Sequence, residues 1–389
     1  VTVIALITFI IWFSVSQNFA TAMNFAVSVL VISCPCSLGL ATPVAIMAAT
    51  GRGAGMGILY KDAEALQKAA QINFVLLDKT ATLTEGKPTV ADFLCFGDEA
   101  QVRQIVGGIE SLSSHPLASC IREFCGASCQ ITTYRYQMGQ GAIAECNGKI
   151  YRIGNRKLCE KAQGLEQGEV FLKEGKTVVY FTEDDKLLAI FAVADVLKQS
   201  SKRAVACLKE RGVQVAMLTG DNPQAAAAVA RMAGIDEYYA DVLPQDKFNY
   251  VSAVQRTHKT VAMVGDGIND APALKQSDVG IAVGTGTGVA IDSASIILAS
   301  GDLSALSDMV ALSQKTVQNI KQNLFWAFFY NVVAIPVAAG VFAFASFTLN
   351  PMIAAACMSL SSLFVVTNAL RLTKFKIKND ESRQKSINY

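Results

Sequence analysis

Three short polar clusters in this chain each follow an apolar run, and their side chains could carry out phosphoryl chemistry. Asp78 ends the first run, and the clusters at 219–222 and 265–272 end the other two. Each run has the length and composition of a buried parallel strand. Since open α/β sheets bind ligands at the carboxyl ends of their strands, the three clusters are predicted to meet at one edge of one sheet.

An aspartate at such an edge can act as a covalent nucleophile and form an aspartyl-phosphate. The alternative is an aspartate that only caps a turn after its strand. Asp78, Asp266 and Asp270 offer the hard oxygens that Mg²⁺ prefers, and Thr80 is predicted to join them as a ligand. Positioning and charge neutralisation are the main needs of phosphoryl transfer. The further residues predicted to serve that purpose are Lys79, Thr80, Thr219, Gly220, Asp221, Lys247 and Asn269.

The three clusters resemble those of P-type ATPases. This resemblance implies an α/β fold plus membrane helices: a haloacid dehalogenase-like phosphorylation domain with an inserted α+β nucleotide-binding domain, on a transmembrane helical bundle. It also implies ATP and Mg²⁺ as cofactors, with Lys247 as the phosphate-binding lysine. One departure is Ala81, since the family usually has glycine there, and its methyl group is expected to crowd the phosphate loop.

Composition indicates a membrane protein with no nucleic-acid surface. The 389 residues suffice for two or three domains, 52% of them are hydrophobic, mean hydropathy is +0.34, and net charge is only +2. The ten cysteines show no spacing typical of a disulfide framework. Apolar runs with almost no charge occupy 1–15, 25–49, 324–345 and 352–370.

The last three runs can each cross a bilayer, which needs ~20 residues. The first is predicted to be a truncated span rather than a signal peptide. Basic residues after position 370 place the carboxyl tail in the cytoplasm. The prediction is therefore an integral protein of the plasma membrane, in contact with lipid, with cytoplasmic ATP-binding domains.

Cys34-Pro35-Cys36 lies inside the second apolar run. Proline kinks or unwinds a helix, and thiolates select soft ions such as Cu(I). The alternative is two small cysteines packed beside a kink. The motif resembles the ion-site signature of heavy-metal P-type ATPases.

Further predicted metal ligands are Tyr330, Asn331, Met358 and Ser362. With Cys34 and Cys36 they resemble the copper-exporting branch. Zinc and cadmium pumps tend to carry charged residues in these spans, and none occurs between 324 and 370. The resemblance thus implies Cu(I) as the transported ion, with Ag(I) as an alternative.

An inserted segment at 88–193 carries the predicted nucleotide contacts. A lone histidine is more often structural than functional, but Ser-His-Pro-Leu-Ala around His115 resembles the nucleotide-domain signature of heavy-metal pumps, where the imidazole meets adenine. The resemblance implies that ATP is bound by Glu110, His115, Gly139, Gly141 and Asn155.

The predicted divisions are membrane helices with the ion site at 1–60, a phosphorylation domain at 61–87 and 194–315, the nucleotide-binding domain at 88–193, two membrane helices at 316–372 and a cytoplasmic tail at 373–389. The predicted function is ATP-driven Cu(I) export, and a cytosolic copper chaperone is a further predicted partner. Because the chain contains no Thr-Gly-Glu, the actuator domain and first spans are expected in an upstream half of the same pump. The alternatives are a copper-binding fragment without turnover and a membrane-tethered phosphatase.

Overall fold

A computed structural model describes residues 1–33, 36–257, 260–284, 288–343 and 351–375. Cys34, the predicted outer turn at 346–350 and the tail from 376 onward lie outside these residues, as does the side chain of Cys36. The chain divides into two compact units. The first unit comprises Val1–Gln71 and Ala305–Tyr389, and the second unit is Ile72–Ser304.

The first unit opens with three apolar helices followed by two short elements. Their bounds are Thr2–Ser16 (α1), Phe19–Ile32 (α2), Cys36–Ala54 (α3), Ile58–Tyr60 (β1) and Ala63–Ala69 (α4). The Asn18 side chain accepts hydrogen bonds from the backbone N–H groups of Ala20 and Thr21, which fixes the start of α2.

The second unit contains a parallel sheet covered by helices. Its strands are Phe74–Asp78 (β2), Gln214–Leu218 (β9), Glu237–Tyr239 (β10), Val261–Gly265 (β11), Val279–Val283 (β12) and Ile296–Leu298 (β13). Its helices are Gln199–Glu210 (α8), Pro223–Ala233 (α9), Pro244–Gln255 (α10), Ala271–Gln276 (α11) and Gly288–Ser293 (α12).

Within this unit the parallel strands follow the order β13–β12–β11–β2–β9–β10. Every residue of β2, β11 and β12 is buried, as expected for central parallel strands that are covered on both faces. Asp78 pairs with Leu218 and Leu77 with Val264, so β2, β9 and β11 end at the same level. The three polar clusters therefore leave one edge of one sheet, as the sequence predicted.

A second, antiparallel sheet is inserted between β2 and β9. It has the order β3–β8–β7–β6–β5–β4, with strands Thr84–Cys95 (β3), Thr133–Gln137 (β4), Gly141–Cys146 (β5), Lys149–Gly154 (β6), Thr177–Glu183 (β7) and Lys186–Leu197 (β8). Its helices are Glu99–Glu110 (α5), Pro116–Cys125 (α6) and Glu169–Lys173 (α7). Its core includes Val106, Ile109, Ile121, Phe181 and Phe191.

Two long strands carry the chain into and out of the insert. Thr84 at the start of β3 pairs with Leu197 at the end of β8. The predicted boundaries of the nucleotide-binding domain at 88 and 193 therefore fall inside continuous strands rather than in loops. The antiparallel pair of strands β3 and β8 connects the insert to the parallel sheet, and hydrogen bonds between the two strands restrain this connection more than two separate loops would.

Two long helices complete the first unit, Ser304–Ala338 (α13) and Pro351–Leu370 (α14). Within the described residues, two segments are long and apolar enough to cross a membrane, Phe19–Ala54 and Met352–Lys374. The apolar part of α13 that is helical is shorter than the ~20 residues a span needs, so a span over 324–345 stays a prediction.

Candidate active site

The sheet edge brings together the three carboxylates that the sequence predicted as Mg²⁺ ligands. Asp78 ends β2, while Asp266 and Asp270 follow β11. One carboxylate oxygen from each lies within 4.8 Å of the other two. Gly265 makes this approach feasible, since a Cβ there would stand 2.5 Å from Asp270 Oδ2.

Lys247, on α10, reaches this cluster from another part of the chain. Its Nζ donates to Asp78 Oδ1 at 2.5 Å and to Asp270 Oδ1 at 2.6 Å. All three side chains are buried. Burial alone would lower the pKa of Lys247, but the charges of Asp78 and Asp270 outweigh it and raise the pKa. The lysine therefore stays charged and orients both carboxylates.

The cluster carries more negative than positive charge. Burial raises the pKa of Asp78 to about 7, and the neighbouring charge of Asp270 adds to this while Lys247 opposes it. Burial and Asp270 likewise raise the pKa of Asp266. Three converging carboxylates with one ammonium group fit a divalent cation, which would relieve their mutual repulsion.

The second cluster contributes a salt bridge. Lys79 Nζ lies 2.6 Å from Asp221 Oδ2. Thr219 is buried, and its Oγ1 accepts a hydrogen bond from the Asp221 N–H at 3.1 Å, while Gly220 is exposed. The predicted phosphate-site residues of β2 and β9 are thus brought together, with Lys79 oriented by Asp221.

The turn after Asp78 has an irregular backbone. Thr80 is exposed, and Ala81 adopts a left-handed conformation with φ 55°. This conformation explains why P-type ATPases usually have glycine at the position of Ala81, since a left-handed backbone is unfavourable for alanine. Gly86 accommodates the methyl group, because a Cβ at Gly86 would lie 2.6 Å from that of Ala81. Asn269 is exposed in the turn Ile268–Asp270.

Lys198 contacts this turn from another part of the chain, and the sequence analysis did not predict this contact. Its Nζ donates to the Ala81 carbonyl at 2.6 Å, and its backbone N–H donates to Leu83. Asp195 also holds the turn, accepting from Thr84 Oγ1 at 2.5 Å and from the Gly86 N–H at 3.0 Å. Lys198 directly follows β8, and this position at a strand end was a usable signal.

The five predicted nucleotide contacts lie around one cavity of about 230 Å³ in the insert. Glu110, His115, Gly139, Gly141 and Asn155 all line it, and Tyr134, Tyr136 and Thr177 join them. The sequence did not single out these last three residues. The cavity therefore combines an acid, an imidazole and aromatic rings.

His115 and Glu110 enter this cavity from consecutive helices. Glu110 ends α5 and is 7% exposed, and burial raises its pKa to about 7. His115 precedes α6, where its Nδ1 accepts a hydrogen bond from the Leu117 N–H at 3.2 Å. This cap leaves the proton on Nε2, so the imidazole presents a donor. His115 thus has the structural role that the alternative interpretation gave it, and it also faces the cavity.

The glycine turn of the cavity requires its glycines. Gly141 has φ +142°, and a Cβ there would lie 2.1 Å from the Ile153 carbonyl oxygen. Asn155 Nδ2 donates to the Gly139 carbonyl at 2.9 Å, which fixes the turn. Backbone can therefore approach a ligand closely here.

The predicted ion ligands in α13 and α14 are only partly brought together. Tyr330 lines a cavity of about 880 Å³, and from α14 its wall includes Cys357 and Ser361. Asn331, Met358 and Ser362 are described but do not form part of that wall. Cys357 is a sulfur donor that sequence reasoning missed.

A family model for haloacid dehalogenase-like hydrolases matches residues 72–278, which is more than half of the chain. This chain belongs to the haloacid dehalogenase-like hydrolases. The match covers the inserted domain, the three clusters and four of the parallel strands of this hydrolase, β2, β9, β10 and β11. It confirms the predicted haloacid dehalogenase-like fold.

Relatives extend the likeness beyond the hydrolase region. The chain is 46% identical to a probable copper-transporting ATPase, PacS, of Synechococcus elongatus over 97% of its own length and 52% of the relative. It is 44% identical to a copper-exporting P-type ATPase of Bacillus subtilis over 96% of its own length and 47% of the relative. The chain thus spans about half the length of these curated relatives.

A solved structure is similar to this chain over most of its length. A zinc-transporting PIB-type ATPase in the E2.Pi state superposes with a TM-score of 0.86 at 32% identity, covering 96% of this chain and 62% of that one. The predicted kinship of this hydrolase with heavy-metal P-type ATPases is confirmed.

Proposed function

We propose that this chain forms the phosphorylation, nucleotide-binding and ion-binding part of a pump that uses ATP to export Cu(I), with Ag(I) as an alternative ion. The observation that carries the proposal is the convergence of Asp78, Asp266 and Asp270 within 4.8 Å at the strand ends. The copper-transporting names of the curated relatives support the choice of ion.

Asp78 is the proposed nucleophile. One of its carboxylate oxygens forms a bond to the γ-phosphorus, the bond between that phosphorus and its bridging oxygen breaks, and ADP leaves. Lys247 donates to Oδ1 and so leaves Oδ2 for the attack. Mg²⁺ bound by Asp78, Thr80, Asp266 and Asp270 would neutralise charge on the phosphoryl group.

The nucleotide is proposed to lie with its base in the cavity of the insert and its phosphates toward Asp78. His115 presents a donor and Glu110 an acceptor to the adenine edge. A cleft of about 990 Å³ lies between the insert and the parallel sheet of the second unit. Its lining includes Lys79, Arg156 and Lys173. Acids line the same cleft, with Asp221 paired to Lys79 and Glu169 paired to Arg156, so a bound triphosphate would compete with these carboxylates for the positive side chains.

The membrane part of the proposal rests on soft ligands and exposed apolar surface. Cys34, Cys36 and Tyr330 supply the proposed ion path, with Asn331, Met358 and Ser362 as further ligands. Large apolar side chains of the helices are exposed, among them Trp326 at 60% and Phe364 at 72%, which suits contact with lipid. We further propose the plasma membrane as location, a cytosolic copper chaperone as partner and an upstream half that completes the pump.

Other functions are less well supported. The zinc-transporting structural relative raises Zn²⁺ as a cargo, but the absence of charged residues between 324 and 370 favours a monovalent ion. A membrane-tethered phosphatase would not need the cavity around Glu110 and His115. A copper-binding fragment without turnover would not need Asp78 as a nucleophile.

The test is acid-stable labelling of the chain by γ-labelled ATP with Mg²⁺. Asp78→Asn is expected to abolish labelling while leaving nucleotide binding in place. Asp184→Asn is the matched control: its backbone is left-handed at φ 49°, which asparagine also tolerates, and labelling should persist. Labelling of Asp78→Asn at the parental level would refute the proposal.

A further inference from the structure

Two cysteines of the insert place their thiols in contact outside the sites described above. Cys129 and Cys146 are 17 residues apart in the sequence, and their Sγ atoms lie 3.4 Å apart. Cys146 ends β5 and is buried, whereas Cys129 is half-buried in the segment between α6 and β4. The pair is therefore reachable from one side.

Rigid backbone holds both thiols in place. The Cys129 N–H donates to the Gln104 carbonyl at 3.0 Å, and a Cβ at Gly108 of α5 would lie 2.4 Å from the Cys129 carbonyl oxygen. Cys146 is fixed by its pairing with Lys149 across the β5–β6 hairpin. The packing of these two segments thus brings the two thiols together.

The surroundings offer two sulfur ligands and no larger set. Among the described residues, the only group of three or more His, Cys, Asp or Glu ligand atoms within 4.8 Å of one another is the aspartate cluster at Asp78. Structural Zn²⁺ sites need four protein ligands. Thiolates alone select soft ions, and monovalent soft ions accept two of them.

We propose that Cys129 and Cys146 form a two-thiolate site for a soft monovalent cation, Cu(I) or Ag(I), in the nucleotide-binding insert. Binding forms two metal–sulfur bonds and releases the two thiol protons, and no atom is oxidised or reduced. The site is separate from the proposed ion path through Cys34 and Cys36, and it does not depend on export.

The alternative use of two adjacent thiols is a disulfide, formed by a peroxide with release of water. Burial raises the pKa of the Cys129 thiol to about 11, and its contact with Cys146 adds to this. At neutral pH Cys129 is therefore protonated, which disfavours the thiolate attack that a disulfide requires. A cation that displaces the protons removes the repulsion between two adjacent thiolates.

The test is anaerobic Cu(I) titration of the full chain against a chromophoric Cu(I) chelator, in a Cys34→Ser/Cys36→Ser background that removes the proposed membrane site. Cys129→Ser and Cys146→Ser are each expected to lose one tightly bound equivalent. Cys159→Ser, a buried thiol in the same insert whose Sγ faces the Tyr180 carbonyl, should retain it. Because binding releases thiol protons, the apparent affinity for Cu(I) should increase at least tenfold with each unit by which the pH is raised, as long as the pH stays below the pKa of Cys129.

Copper X-ray absorption of the Cys34→Ser/Cys36→Ser chain provides a measurement that does not require a substitution in the insert, and sulfur neighbours alone are expected. An equal number of bound Cu(I) ions in the Cys34→Ser/Cys36→Ser chain with and without Cys129→Ser would overturn the proposal. So would a Cys129–Cys146 disulfide in mass spectra together with no Cu(I) binding by the reduced chain.

Discussion

Ala81 holds a left-handed backbone beside the proposed nucleophile. The conformation costs alanine about 1–2 kcal/mol relative to a right-handed one. Glycine would remove that strain, although it adds about 0.4–1 kcal/mol of unfolded-state entropy. Ala81 has φ 55°, and the Lys198 ammonium group holds its carbonyl.

We therefore expect Ala81→Gly to stabilise the chain by up to about 1 kcal/mol, measured as the thermal unfolding midpoint. Asn147→Gly is the control, since Asn147 has a similar φ of 53° but asparagine tolerates it. A larger gain at Asn147 than at Ala81 would contradict the strain argument.

Glu110 makes stability depend on pH. Burial raises its folded-state pKa from 4.5 to about 7, so the folded chain binds more protons than the unfolded chain between these values. Stability from this group is fully present below about pH 4.5 and is lost as pH rises toward about 7.

Glu110→Gln should remove that dependence. The variant is expected to gain stability relative to the parent as pH rises from about 4.5 to about 7, by up to ~3 kcal/mol, measured by denaturant unfolding at several pH values. Glu160→Gln, at an exposed carboxylate of the insert, should show no such trend. A parallel response of both variants would rule out burial as the cause.

At the scale of elements, the junction between β8 and α8 positions the turn that follows Asp78 and contains Ala81. Lys198 stands at this junction, and its ammonium group reaches the Ala81 carbonyl. Neither strand β2 nor helix α8 could fix the turn alone, because the contact joins residues that are 117 positions apart.

Lys198→Met should lower the rate of labelling from ATP by about 10-fold or more while leaving ADP affinity unchanged, because one donor to the turn is lost and the cavity is not touched. Lys202→Met, one turn further along α8 and exposed, is the control. An equal loss of ADP binding in Lys198→Met would indicate general misfolding instead of positioning.

At the scale of the whole second unit, Gly175 of the insert packs closely against helix α9, which covers the parallel sheet. Gly175 has φ +78°, and a Cβ there would lie 2.8 Å from Ala225 Cα, which belongs to α9. Helices α7 and α9 can approach closely only because this position lacks a side chain.

Gly175→Ala is expected to destabilise the chain by about 1–3 kcal/mol more than Gly148→Ala, as measured by thermal unfolding. Gly148 has a similar φ of +74° but nothing within 4 Å of its added Cβ, so the difference isolates the contact with α9. Equal effects of the two substitutions would show that the close approach is unimportant.

The sequence by itself determined the parallel strands and the polar residues at their ends. Apolar runs that stop at Asp78, Thr219 and Asp266 are local patterns, and parallel strands of one sheet must deliver their carboxyl ends to one edge. Five residues around the cavity of the insert were predicted in another way, from the resemblance of the motif around His115 to the nucleotide-domain signature of heavy-metal pumps.

Only the tertiary structure decided which side chains meet. Lys247 contacts Asp78 across 169 positions, and Cys129 meets Cys146 through the packing of a segment on α5. Such contacts depend on how helices and loops pack over the sheets. No periodicity in the sequence encodes them, because the energy that selects them comes from burial and charge in the assembled fold.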